Sequence, residues 1–267
     1  MNAIDETLLD VVGLEKRYHS SGTLAIENVT LDVRRSEFVS IVGPSGCGKT
    51  TLLKTICGLL HPTGGSVRLG GRLITEPPPE MVLVFQDYAR SLFPWLTVEG
   101  NVAFPLKKKH LGAAEKKRVI ADVLRSVNLE RFAKHYPWQL SGGMQQRVAI
   151  ARAVAFSPEI LLLDEPFASV DALTRAELED LTLVLRDTLG ITMLLVTHDI
   201  DEAVYLSDRV FVLSPPPSVV VREFAIPLGR ARDQETTRSD ARFLALRNEI
   251  HHLIGRPRAI APEPAVV

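Results

Sequence analysis

Long apolar runs, closely spaced cysteines and an excess of either charge are all missing from this sequence of 267 residues. The longest apolar stretches, such as Met193-Leu194-Leu195-Val196, are far shorter than the ~20 residues that a membrane-spanning helix requires. The two cysteines suit neither a disulfide framework nor a metal site, which favours a reducing compartment. Residues 1–6 are acidic rather than basic, so we expect no secretory signal and a soluble, cytosolic chain that is still free to dock on a membrane partner.

The charge balance excludes a second group of functions. A formal net charge of −1 gives no indication of a nucleic-acid or membrane-surface partner. Hydrophobic residues make up 46% of the chain, which is enough for a substantial core. The length fits one large α/β unit with an inserted subdomain.

The most specific pattern in the chain is the glycine-rich loop Gly43-Pro44-Ser45-Gly46-Cys47-Gly48-Lys49-Thr50, which matches G-x-x-x-x-G-K-[ST]. An apolar run precedes it and a helical pattern follows it, as a strand, a loop and a helix require. Glycines let backbone N–H groups turn toward one point, where the helix N-terminus favours a phosphate. We expect Lys49 to reach the β- and γ-phosphates of a nucleoside triphosphate and the Thr50 hydroxyl to hold Mg²⁺. Cys47 lies at the same helix N-terminus, which should favour its thiolate.

Apolar segments separated by turn residues predict a sheet. Residues 81–85 are typical of a strand buried on both faces, and residues 210–213 read as the last strand. Between residues 86 and 157 the pattern changes to helix signals, and a leucine stripe later predicts a helix that ends at Gly190. Strands that alternate with helices imply a mixed, mostly parallel sheet in an α/β fold with an N-terminal antiparallel β part and an inserted helical subdomain. The predicted strands are 8–14, 25–33, 38–42, 66–69, 81–85, 160–163, 192–196 and 210–213.

Three further motifs follow the loop in order. They are Leu140-Ser141-Gly142-Gly143-Met144-Gln145-Gln146-Arg147, then Ile160-Leu161-Leu162-Leu163-Asp164-Glu165-Pro166, and then Val196-Thr197-His198-Asp199. With this ordered set, residues 8–214 resemble the ATP-binding subunits of ABC transporters, which have a P-loop NTPase core. Within that class, residues 85–87, 92–98 and 171–175 are similar to bacterial importers for nitrate, sulphonates or taurine.

Two acidic residues at a strand end supply the hydrolytic chemistry. We expect Asp164 to hold Mg²⁺ and Glu165 to polarise the attacking water as general base. The resemblance implies that Gln86 meets Mg²⁺ and water, that His198 contacts the γ-phosphate and that Tyr18 stacks on adenine. Thr51 joins Thr50 among the nucleotide-binding residues.

A second phosphate site is predicted at Ser141-Gly142-Gly143, where a hydroxyl and two glycine amides begin a helix. The family architecture places this site on a different lobe from Lys49, so one chain cannot direct both at one γ-phosphate. The resemblance therefore implies a head-to-tail dimer of two copies that buries two ATP molecules, with Asp171 between the sites. Met144 and Val170 depart from the residues common in the family.

From this pattern we expect an ABC ATPase domain over residues 1–214, with a helical subdomain at about 87–157. A C-terminal extension over 215–267 should carry one packed helix within 241–254 and a flexible end from Arg256. The predicted protein is the ATPase subunit of a bacterial importer at the cytoplasmic face of the inner membrane, and its solute is an oxyanion or sulphonate-type compound.

The predicted partners are a second copy, a membrane permease and, indirectly, a periplasmic or lipoprotein solute-binding protein, with no nucleic acid. The permease should dock in a groove near residues 86–106, where Tyr88, Phe93 and Trp95 contribute aromatic surface. Two alternatives stay open, a soluble ABC ATPase acting on DNA or the ribosome and a nucleotide sensor that does not turn over.

Overall fold

The structure is a computed structural model that describes residues 6–18, 22–87 and 91–255. Two sheets and a set of helices make up the described chain, and they are numbered here in chain order. The strands are β1 (Thr7–Arg17), β2 (Leu24–Arg34), β3 (Phe38–Val42), β4 (Gly64–Leu69), β5 (Arg72–Leu73), β6 (Met81–Val84), β7 (Ile160–Asp164), β8 (Thr192–Thr197), β9 (Arg209–Leu213) and β10 (Val220–Ala225). The helices are α1 (Lys49–Ile56), α2 (Val98–Ala103), α3 (Ala113–Ser126), α4 (Gly142–Ala155), α5 (Ala172–Leu189), α6 (Ile200–Leu206) and α7 (Ala241–Ile254), with short 3₁₀ turns at Pro105–Lys108, Glu130–Phe132 and Pro137–Gln139.

The larger sheet has six strands in the order β10-β9-β3-β8-β7-β6. All its neighbours run parallel except β10, which pairs antiparallel with β9. The second sheet is antiparallel, with the order β2-β1-β4-β5. The predicted fold class, a mixed and mostly parallel sheet with an antiparallel N-terminal part, is confirmed.

The central strands are buried on both faces, as their Val, Ile and Leu content requires. Side chains along β3 alternate between two hydrophobic clusters, because successive residues of a strand point to opposite faces. Phe38 and Val42 join the cluster that contains α4 and α5, while Val39 and Ile41 join the cluster that contains α1 and the antiparallel sheet. Within the described residues, both faces of the large sheet are therefore covered at β3.

The structure corrects two sequence-based expectations about strands. The segment at 81–85 is not buried on both faces, because β6 is an edge strand whose Val82 and Leu83 are half-buried. Residues 210–213 are also not the last strand, since β10 follows them at the opposite edge. The charged residues Arg222 and Glu223 in the middle of β10 hid this strand from a reading based on apolar runs.

The helical segment between β6 and β7 packs on one face of the large sheet. Val98 and Val102 of α2 and Leu124 of α3 share one cluster with Leu161 and Leu163 of β7. The C-terminal helix α7 packs against the same body, with Phe243 and Ile250 buried. The flexible end expected from Arg256, and Tyr88 of the expected docking surface, lie outside the described residues.

No helix in the described part of the chain is long and apolar enough to cross a membrane.

Candidate functional site

The carboxyl ends of four parallel strands of the large sheet, β3, β6, β7 and β8, lie side by side, and a predicted site residue is at or just after each of them. The glycine loop follows β3, Gln86 lies two residues after β6, Asp164 is the last residue of β7, and His198 directly follows β8. Because neighbouring parallel strands end side by side, four segments far apart in sequence converge.

The phosphate-binding loop takes its shape from glycines. Gly46 and Gly48 have φ values of 76° and 97°, which side chains other than glycine adopt at a cost. The Lys49 ammonium donates to the carbonyl oxygens of Gly43 at 2.9 Å and Pro44 at 3.1 Å. The charge of Lys49 is thus held over the loop, at the N-terminus of α1, where a phosphate is favoured.

Two of the predicted magnesium ligands touch each other. The Thr50 hydroxyl donates to a carboxylate oxygen of Asp164 at 3.0 Å. Burial raises the pKa of Asp164, while the bond from Thr50 acts in the opposite direction. The carboxylate of Asp164 and the hydroxyl of Thr50 together offer the oxygen ligands that a hard cation prefers.

Glu165 is the meeting point of the other two strand ends. One of its carboxylate oxygens lies 3.3 Å from the Gln86 amide nitrogen and 3.1 Å from Nδ1 of His198. The backbone of Glu165 has a φ of 45°, an uncommon conformation for a residue with a side chain. Such strain is concentrated at functional positions, and here it turns the carboxylate toward Gln86 and His198.

Tyr18 reaches the same region from the antiparallel sheet. Its hydroxyl is hydrogen-bonded to that of Thr51, in the first turn of α1, at 3.0 Å. The ring therefore lies beside the start of the helix that follows the phosphate loop, and its stacking on adenine stays a prediction.

A second group of predicted residues lies at the starts of α4 and α5. Ser141 caps α4 by accepting from the Met144 amide, and Asp171 caps α5 by accepting from the Thr174 amide. Gly143 brings these starts together, because a Cβ on it would lie 2.2 Å from a methyl carbon of Thr174. Within the described residues, no hydrogen bond or ion pair joins Ser141 or Asp171 to Lys49, Asp164 or Glu165. The predicted site residues therefore lie in two places in the described chain, at the carboxyl ends of the strands and at the starts of α4 and α5.

One sequence-based expectation about this loop is wrong. Cys47 was expected to favour its thiolate at the start of α1, yet its side chain is buried and burial raises its pKa. The nearby Lys49 acts to lower this pKa, but desolvation outweighs it. Cys47 is therefore a packing residue of the loop, and its backbone carbonyl accepts a hydrogen bond from Ser218.

Sequence reasoning missed a set of residues at the turn between β8 and α6, next to His198. The Thr197 hydroxyl accepts from the Asp199 amide at 3.0 Å and donates to Glu202 at 3.0 Å, which fixes the turn that carries His198. Asp199 also pairs with Arg175 of α5 at 3.2 Å. An acidic cap followed three residues later by a glutamate marks a helix start, and Asp199 and Glu202 provide that signal in the sequence.

A family model described as "ABC transporter" matches residues 26–168 of the chain. The nitrate import ATP-binding protein NrtD of Synechococcus elongatus is 44% identical over 85% of this chain and 83% of its own length. The bicarbonate transport ATP-binding protein CmpD of Synechocystis sp. is also 44% identical, over 84% of this chain and 79% of its own length.

A solved structure of similar fold is the dimeric ATP-binding cassette MJ0796, in a post-hydrolysis state bound to ADP and Pi. It superposes with a TM-score of 0.71 at 35% identity and covers 82% of this chain and 99% of its own.

Proposed function

This chain belongs to the ABC transporter family, and on that premise we propose that it is the Mg²⁺-dependent ATPase subunit that energises import of a small oxyanion. The observation that carries the proposal is the convergence of four strand ends. Thr50 is bonded to Asp164, and Glu165 is bonded to both Gln86 and His198. One edge of the sheet thus holds a phosphate loop, a cation-binding pair and a carboxylate with two polar neighbours.

Hydrolysis is assigned to these residues in the following way. Lys49 and the loop amides bind the β- and γ-phosphates, and their positive charge stabilises the charge that develops during transfer. Glu165 orients a water molecule toward the γ-phosphorus and accepts its proton as the new P–O bond forms. The Gln86 amide and the His198 ring hold the Glu165 carboxylate in place, and His198 is exposed enough to reach the γ-phosphate as well. The bond between the γ-phosphorus and the oxygen that bridges it to the β-phosphate breaks, and ADP and phosphate leave.

Thr50, Asp164 and Gln86 are the residues that would hold Mg²⁺. Mg²⁺ prefers oxygen ligands and usually takes one or two from the protein, with the rest from phosphates and water. The buried Asp164 carboxylate and the Thr50 hydroxyl, 3.0 Å apart, fit that requirement. When bound, the ion supplies positive charge to the β- and γ-phosphate oxygens.

A second copy of the chain supplies the rest of each site in this proposal. Ser141, Gly142 and Gly143 present a hydroxyl and a helix N-terminus that no described contact directs at the phosphate loop of their own chain. A head-to-tail dimer would place them on the partner's γ-phosphate, with Asp171 between the two sites. The dimeric MJ0796 cassette, bound to ADP and Pi, supports this arrangement.

The membrane permease would bind the groove beside β6. The groove has a volume of about 1010 Å³ and combines the apolar residues Leu83, Phe85 and Phe93 with the basic residues Lys107 and Arg152. Trp95 lies next to it with 70% of its surface exposed, and its ring stacks at a tilt on Phe93. We infer that a cytoplasmic segment of the permease with apolar and acidic side chains packs here.

The solute and the location follow from the relatives. Nitrate and bicarbonate, named for NrtD and CmpD, are both small oxyanions, so we propose that this chain serves a permease for a compound of that class. Its place would be the cytoplasmic face of the cell membrane, with a solute-binding protein on the other side.

Replacement of Glu165 tests the proposed function. Glu165→Gln keeps the shape and the contacts to Gln86 and His198 but removes the base, so turnover should fall about a hundredfold or more. ATP should still bind, and a nucleotide-loaded dimer should accumulate. Phosphate release and gel filtration with Mg-ATP measure both effects, and near-normal turnover of the variant would remove Glu165 from this role.

A further inference from the structure

We propose that the C-terminal segment 232–238 positions two turns of the proposed site, the turn before α5 that carries Asp171 and the turn before α6 that carries His198. The segment does so because it contacts both helices. This inference rests on the proposed ATPase function, since it assigns positioning residues to that reaction. The segment itself does not touch the nucleotide site.

Both helices start at residues of the proposed mechanism. Asp171 caps α5, and Asp199, next to His198, caps α6. The two starts are joined by the 3.2 Å ion pair between Arg175 and Asp199. A shift of either helix would therefore move His198 and Asp171 together.

Gln234 binds α5 one to two turns after its start. Its amide nitrogen has three acceptors within reach of its two N–H groups, the Ala176 carbonyl at 3.2 Å, Glu179 at 3.0 Å and Asp180 at 2.9 Å. These acceptors lie on a single turn of the helix, so this one side chain fixes the segment to that turn.

Arg238 binds both helices at once. It donates to Glu179 of α5 at 2.6 Å, and its guanidinium lies 4.8 Å from the centre of the Tyr205 ring of α6. Tyr205 in turn donates to Asp180 of α5 at 2.7 Å. These contacts close a ring of interactions from α5 through Arg238 to α6.

Arg232 holds the far end of α6. It donates to the carbonyl oxygens of Val204, Tyr205 and Ser207, and its side chain is fully buried. Carbonyls at a helix C-terminus have no partner within the helix, so an arginine that binds three of them anchors the helix axis.

A carboxylate cluster connects this brace to the turn at His198. Glu179 is 1% exposed, and Glu202, bonded to Thr197, is 4% exposed. Burial, reinforced by the charges of Glu179 and Asp199, raises the pKa of Glu202 well above its ordinary value. Arg238 compensates the charge of Glu179 and Gln234 donates a hydrogen bond to it, so without Arg238 a buried carboxylate would be left without its cation close to the turn.

The test compares variants in the full chain. Arg238→Met keeps most of the volume but loses the charge, Arg238→Lys keeps the charge, and Gln234→Leu removes the amide that bonds to α5. Arg242→Met is the matched control, because Arg242 is exposed and bonds to Asp240 and the Pro227 carbonyl instead of α5 or α6. The measurements are kcat and KM for ATP, and amide hydrogen exchange of peptides covering residues 197–206 and 43–56.

Loss of positioning should lower kcat about fivefold in Arg238→Met and Gln234→Leu, with KM for ATP changed less than about twofold. Exchange should rise in 197–206, where the Asp199 and Glu202 amides are bonded, and stay unchanged in 43–56. Arg238→Lys should recover most of the loss, and Arg242→Met should behave as wild type.

Unchanged exchange at 197–206 would overturn the inference, and so would a rise of equal size in both peptides, which indicates general destabilisation. If one variant does not fold, the other decides. Hydrogen exchange reads the brace without catalysis, so a wild-type chain that fails to hydrolyse ATP would count against the proposed function and leave this test intact.

Discussion

The contact between Gly143 and Thr174, where α4 and α5 begin, leaves no room for a side chain larger than that of glycine at position 143. A Cβ at position 143 would lie 2.2 Å from the Thr174 methyl carbon, and Thr174 also holds the carboxylate of Asp171 through its amide and hydroxyl. The close approach of two helix starts therefore depends on glycine at this position.

Gly143→Ala should destabilise the chain by about 1–3 kcal/mol, because an extra methyl group has to be accommodated in a packed contact. Gly143→Ala combined with Thr174→Ser should recover most of that loss, since serine lacks the methyl and keeps the hydroxyl for Asp171. Gly112→Ala is the control, because a Cβ there meets no atom within 4 Å. Urea unfolding of the four proteins measures the effect, and equal midpoints for Gly143→Ala and wild type would refute the contact.

Sequence patterns assign single residues where the pattern is local, and the roles given to those residues stay predictions. Lys49 and Thr50 follow from the loop pattern, and Asp164 and Glu165 follow from an apolar strand that ends in two acids. Cys47 was misjudged because the local effect of a helix N-terminus was outweighed by burial, which no short pattern reveals.

Among the elements, the strand that escaped prediction, β10, pairs with β9 and is also bonded to an arginine that reaches the second sheet. Arg209 of β9 is bonded to Glu223 of β10 at 2.6 Å, to Asp32 of β2 at 2.9 Å and to Glu37 before β3 at 3.2 Å. Arg209 thus connects β9 and β10 of the large sheet to β2 of the antiparallel sheet. Burial raises the pKa of Glu37 even though Arg209 opposes that shift.

Arg209→Ala should lower the free energy of unfolding by about 3–5 kcal/mol, because it leaves the buried Glu37 carboxylate without its cation. Arg222→Ala provides the comparison, since Arg222 forms an ion pair with Glu249 in which both side chains are about half exposed. That change should cost no more than about 1 kcal/mol. Denaturant unfolding monitors both, and similar costs for the two variants would contradict the role given to Arg209.

Elements could be predicted where one face or both faces of a strand carry Val, Ile and Leu, as in β3, β7 and β8. The pairing of β10 with β9 and the bonds from Gln234 and Arg238 to α5 could not be predicted. Gln234 and Arg238 bind residues more than fifty positions away through polar side chains that are equally suited to solvent, and β10 carries charged residues in its middle. Their place is set by tertiary packing.

In the whole molecule, we propose that each ATP site is built from two chains. Lys49 lies after β3, Asp164 and Glu165 lie at the end of β7, Ser141 and Asp171 lie at the starts of α4 and α5, and no described hydrogen bond or ion pair joins the first three residues to the last two. In the proposed dimer, a γ-phosphate bound by the first set would be contacted by the second set of the partner copy.

Mixing two inactive variants tests this claim most directly. Lys49→Ala should damage the site built on that chain's own phosphate loop. Ser141→Arg should damage the site to which that chain contributes the opposite wall, since a bulky side chain replaces the small cap. Each homodimer then has two broken sites, whereas in the heterodimer both lesions fall in one site and the other is wild type.

The measurement is nucleotide trapped per dimer, together with phosphate release, in the mixture and in each parent protein with Mg-ATP. If each site is shared between two chains, the mixture should trap more ATP than either parent protein. It should also release more phosphate than either parent if one intact site turns over alone. Differently tagged chains allow heterodimers to be detected by gel filtration. If heterodimers form but neither trap nor hydrolyse ATP above the level of the parents, the shared-site proposal is contradicted.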